Sequence, residues 1–145
     1  MKSSIICILV FALLIIPPFP ISNAKNIGQP DVEIHFAWID WGFVILVWNK
    51  ENESIHNVFI KQLSISGIVF LGGTWLDYIK EVGGKSLRQL IVPAWGIGKC
   101  LVEVTVSYEY EGETYETTIY GYFTILGSFT YLLTEWGNTN ELSCP

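Results

Sequence analysis

Residues 101–125 read LVEVTVSYEYEGETYETTIYGYFTI, and their alternation decides the fold class. Val102, Val104, Val106, Tyr108 and Tyr110 fall on one face, with Glu103, Thr105, Ser107 and Glu109 opposite. A period of two over such a length marks a half-buried strand. Glu111-Gly112 interrupts it as a tight turn, and residues 113–125 return, rich in Thr, Tyr and Ile. Two-residue loops with Gly second match the twist of paired strands, so the stretch is a β-hairpin.

Upstream the same grammar repeats. Val32, Ile34, Phe36 and Trp38 alternate with Glu33 and His35, and Asp40-Trp41-Gly42 reads as a turn. Residues 43–48 (FVILVW) form an apolar run whose length and β-branched content predict a strand buried on both sides. The polar turn NKENES (49–54) precedes strand-like residues 57–65, and Gly67 and Gly72-Gly73 bracket a short apolar stretch. Residues 75–82 (WLDYIKEV) fit one amphipathic helical turn about as well as a strand. Gly83-Gly84 turns the chain, and residues 86–92 run extended to Pro93. About seven short strands with turn signals every 8–12 residues predict an all-β, antiparallel β-sandwich. Strand counting leaves closure into a barrel open. No strand–helix–strand alternation is visible, which disfavours an α/β fold.

The N-terminus is of another kind. Lys2, the apolar run Ile5 to Ile16, Pro17, Pro18 and Pro20, and the small residues Ser22-Asn23-Ala24 follow the layout of a secretory signal. Cleavage is expected after Ala24, with an uncleaved anchor as the alternative. The apolar run is shorter than the roughly 20 residues a membrane span requires. The chain thus divides into a signal (1–24), a leader (25–31), a sandwich (32–125) and a tail (126–145) that packs on it. The mature chain is expected to be secreted or held at the cell surface, with no transmembrane anchor. Of 8 basic residues the signal removes Lys2, leaving 7 against 14 acidic, a net charge near −7. That balance argues against nucleic acid, whose phosphates need clustered Lys and Arg.

Three segments carry a family resemblance: FVILVWNKENESIHNVFIKQLSIS (43–66), KSLRQLIVPA (85–94) and KCLVEVTVSYEYEGETYETTIYGYFTI (99–125). Their order resembles the immunoglobulin-like modules of archaeal and bacterial surface proteins, including the cell-adhesion-related domains of bacteria. Asn49, Asn57-Val58, Gly84-Lys85-Ser86, and Val106 to Glu109 with Gly112 and Tyr115 take the places of that pattern's turns and closing hairpin. The resemblance implies an immunoglobulin-like sandwich over residues 32–125, and the export signal, the sandwich pattern and the lack of a catalytic set give the expected role, non-enzymatic binding, adhesion or surface assembly. The resemblance supplies no catalytic residues and no cofactor. Gly83-Gly84 stands where the family turn has Pro-Gly, and the tail has no counterpart.

Export gives the cysteines a context. Cys100 and Cys144 are the two outside the signal, and a tail doubling back along the hairpin is expected to join them in a disulfide. Such a loop stabilises by about 4 kcal/mol in the chain-entropy picture. Asn52-Glu53-Ser54 fits the glycosylation acceptor pattern, in a turn. His35 and His56 have no partner at ligand spacing, so no metal is expected. Glu109, Glu111, Glu113 and Glu116 read as a solvated strand end that discourages edge pairing rather than a calcium loop. No Gly-X-Ser-X-Gly elbow or nucleophile–histidine set is present.

The aromatics are the most suggestive residues. Parity places Trp38 and Trp48 inward, whereas Trp41, Trp95 and Trp136 lie beside Gly in predicted turns and become the candidate binding rings. Exposed aromatic rings anchor sugars and protein interfaces. The expected partner is an extracellular protein or glycan, or another copy of the chain. A small extracellular hydrolase or inhibitor is the alternative from another class. A third reading, a filament subunit, would use SFTYLLTEW (128–136) to complete a neighbour's sheet.

Overall fold

The computed structural model describes residues 29–142, which hold ten β-strands. The hairpin at the centre of the sequence is also the centre of the molecule. Strand β8 (Ala94–Tyr110) pairs with β9 (Glu113–Gly127) from Gly96↔Gly127 to Tyr110↔Glu113. Glu111 and Gly112 both have positive φ, 50° and 82°, which is the type I′ geometry that suits twisted paired strands. Strand β10 (Phe129–Leu142) folds back along the whole of β9. The tail therefore fills the edge of its own sheet.

Around this meander the larger sheet has the order β2-β10-β9-β8-β4-β6. It takes in β2 (Ile39–Trp41), β4 (Ile55–Ser66) and β6 (Tyr78–Val82). The short β5 (Val69–Leu71) pairs with the start of β8. A second sheet has the order β1-β3-β7, from β1 (Val32–Phe36), β3 (Phe43–Asn49) and β7 (Ser86–Val92). Every pairing is antiparallel. Alternation puts Ile34, Phe36, Phe43, Ile45, Val47 and Leu90 of the small sheet against Val102, Val104, Ile119 and Phe123 of the large one. Phe36 and Phe43 meet Phe123 edge-on, with centroids 5.0 and 5.1 Å apart. Gly121 is what lets Phe36 in, since a Cβ there would come within 2.8 Å of the Phe36 ring. The two sheets share one apolar core, the main stabilising element of a domain this size.

Several expectations change. Asp40-Trp41 is not a turn: Ile39–Trp41 is an edge strand against β10, because the tail strand creates an edge there. Gly42 (φ 86°) makes the turn back to the small sheet, donating its N–H to Ser128 O at 2.8 Å. Residues 75–82 are extended, with Leu76 bridging Ile91 and β6 pairing β4. Strand β8 begins seven residues before Leu101. Gly96 does not break it: a Cβ at Gly96 would lie 2.3 Å from Ile68 O, so the glycine admits β5. Trp38 and Trp48 point outward, 58% and 46% exposed. Strand β3 buries its odd positions, leaving Trp48 beside Leu87 with Lys50 Nζ 4.3 Å over its ring. The alternation of β1 ends at Phe36, so parity does not carry through to Trp38.

Candidate functional site

Two ends of the molecule differ in chemistry. The end where β3 finishes and β4 begins carries Lys50, Glu51, Glu53, Glu81 and Lys85, together with Glu109, Glu111 and Glu113 of the hairpin. Buried Asn49 organises it. Its Nδ2 donates to the carbonyls of Glu53 (2.7 Å), Val82 (3.2 Å) and Gly83 (3.2 Å), and its Oδ1 accepts from Glu51 N–H (3.0 Å). Gly84 lies so close to the 49–54 turn that a Cβ would fall 2.0 Å from Asn52 O. Asn52 itself is exposed in that turn, as a glycan acceptor requires.

A shallow depression of about 270 Å³ opens nearby, lined by His56, Asn57, Lys80, Glu109, Glu111 and Gly112. The hairpin carboxylates are dispersed rather than convergent. Glu109 accepts from Asn57 Nδ2 at 2.8 Å, Glu113 from Tyr115 Oη at 2.9 Å, and Glu116 pairs with Lys61. Among the described residues no three His, Cys, Asp or Glu side chains gather as a metal site. His35 is engaged structurally: its Nδ1 lies 2.7 Å from Glu135 Oε1, while Glu135 Oε2 accepts Phe36 N–H at 2.7 Å. That hydrogen bond and the Glu135 and Glu33 charges raise the imidazole pKa above 6.5 against the opposing effect of burial.

Cys100 is a buried free thiol, its pKa raised by desolvation. Cys144 lies outside the described residues. Cys100 sits opposite Phe123, whereas the described end of β10, Leu142, sits opposite Tyr115, eight residues further along β9. Eight residues of strand span about 27 Å. Strand β10 doubles back along β9, and its described part ends away from Cys100; the expected Cys100–Cys144 bridge falls on a residue outside the described ones. The signal and most of the leader (1–28) also fall outside the described residues.

The opposite end and the outer face of the large sheet are apolar. Directly paired residues share a face, so the register lays out rows. One row runs Ile97, Leu126, Phe129, Trp41 across β8, β9, β10 and β2. Beside it, Phe70 pairs Trp95 at the edge of β5. The next row is Lys99, Thr124, Tyr131, Ile39, followed by Leu101, Tyr122, Thr134 and then Glu103, Tyr120, Trp136. The rings associate within it: Trp41 with Phe129 at 4.2 Å, Phe70 with Trp95 at 6.0 Å, and Tyr120 with Trp136 at 5.7 Å, nearly parallel at 7°. Trp41, Trp95 and Trp136 are 62%, 58% and 47% exposed, and Leu126 reaches 70%. All three candidate rings lie on one face.

No protein-family model, curated protein or solved structure matches the chain. The site therefore rests on its own chemistry. Ile39, Phe70, Ile97, Leu126 and Phe129 were missed as face residues because sequence parity labels them only as non-core. The usable signal was β9 itself, where Tyr120, Tyr122 and Leu126 oppose Ile119, Phe123 and Ile125. A strand apolar on both faces is one that expects cover on both.

Proposed function

We propose that this chain is an exported, non-enzymatic, immunoglobulin-like β-sandwich module that binds an extracellular partner through the aromatic outer face of its larger sheet. The observation that carries the reading is the continuous row Ile97, Leu126, Phe129, Trp41 with Trp95 and Phe70 beside it. Exposed apolar patches of this extent mark interaction surfaces. The secretory layout at residues 2–24 supports export. The strand orders support the immunoglobulin-like reading: β1-β3-β7 takes the place of strands A-B-E, and β4-β8-β9 that of C-F-G. On this reading β2 and β10 are additions to the module's edge, and Asn52, at the far end, is free to carry a glycan without covering the face.

The test is tryptophan fluorescence of the purified exported chain titrated with cell-surface proteins and glycans. A saturable blue shift is expected, lost in a Trp41→Ala/Phe129→Ala double variant that keeps the native far-ultraviolet spectrum. Binding undiminished in that variant sinks the proposal.

A further inference from the structure

The geometry points to a second copy of this chain as the occupant of the aromatic face, in an isologous dimer; this rests on the binding role proposed above. About ten large apolar side chains on the face stand more than a third exposed. With about 100 Å² each left open, a fraction of the 150–250 Å² such rings bury, they offer on the order of 1,000 Å². The largest patch on a monomer is about 300–600 Å², and a stable interface covers about 800 Å² per partner. The patch is thus too large for an isolated molecule and of the size a dimer needs.

Shape and charge favour a copy over other occupants. The rows lie across the face of a single sheet, and a sheet face is covered most closely by another sheet face about 10 Å away. An apolar self-complementary surface is what a two-fold axis requires, since each residue meets the same patch on its mate. The chain carries a net charge of −6, so two copies repel unless their contact is neutral. Between Ile97 and Glu103 the outward charges of β8 are Lys99 and Glu103, of opposite sign, and the facing positions of β9 carry none. The acidic turns at 49–54 and 109–113 lie at the far end, where contact through the apolar rows keeps them apart.

Sedimentation equilibrium of the purified exported chain, its N-terminus read by mass spectrometry, tests this. Twice the monomer mass at micromolar concentration is expected. Leu126→Arg and Trp95→Arg, both on outward positions, should each raise the dimer dissociation constant by at least about 100-fold. Fluorine labels at Tyr108, in the core, report whether each variant is folded. A wild-type chain that stays monomeric at about 100 μM overturns the dimer, as does a dimer that both variants retain. In the monomeric case, binding to neutral phosphatidylcholine vesicles or to a glycan that Leu126→Arg abolishes leaves the binding face standing with another occupant. Loss of neither removes both readings.

Discussion

Asn49 is the residue on which the acidic end depends. It is buried, and one side chain serves three carbonyls and one N–H from the turns that precede β4 and β7. Truncation strands the Val82 carbonyl in a buried position and the other groups in partly buried ones, and unsatisfied buried polar groups cost about 1–3 kcal/mol. Asn49→Ala is expected to lower stability by about 3 kcal/mol, measured by urea unfolding, with Asn49→Asp failing to restore it because Nδ2 is the atom in demand. Sequence reading placed Asn49 in a turn and in the family pattern. It had no means of seeing that a turn 33 residues away shares the same side chain.

At the scale of elements, β1 and β10 belong to different sheets and are clasped by Glu135, which holds both His35 and the Phe36 amide. The raised imidazole pKa makes this clasp pH-dependent. A group whose pKa is raised on folding stabilises fully below its unfolded value, near 6.5, and loses that contribution as pH climbs through the raised value. The thermal midpoint is expected to fall as pH rises from about 6.5 through neutrality. Glu135→Gln should flatten that slope while keeping an acceptor for the amide, and an unchanged slope in the variant counts against the clasp. Central elements were legible because alternation is local: the β8–β9 hairpin, its Glu111-Gly112 turn and the inward set Val102, Val104, Val106, Tyr108 all follow from period two. Edges were not. Strand β2 exists only because β10 lies beside it, and Trp95 with the Gly that follows it reads as a turn because the approach of β5 is a tertiary fact. The same limit hid half of the candidate face, whose residues come together through register rather than spacing.

Across the whole molecule, Cys100 sits in the middle strands of the larger sheet, under the small sheet, where burial pushes its thiol pKa up. Such a thiol reacts when the core opens. Alkylation of Cys100 by iodoacetamide, followed by mass spectrometry, is expected to track the equilibrium population of the unfolded chain and to rise with pH as the exposed thiol ionises. Labelling much faster than global stability allows would mean that β8 opens locally. The aromatic face lies on the other side of that same strand, so Leu101 and Cys100 report on opposite surfaces of one backbone.

The pairing of β10 along fifteen-residue β9 also has a consequence in time. Strands are made in order, and β10 follows β9. At about 5–20 residues per second, a growing chain holds the β9 edge open for about a second or more before its cover arrives. With apolar side chains on both surfaces, that unfinished edge is the stage at which neighbouring nascent chains would join one another. Crowded synthesis is then a condition that brings such unfinished edges together.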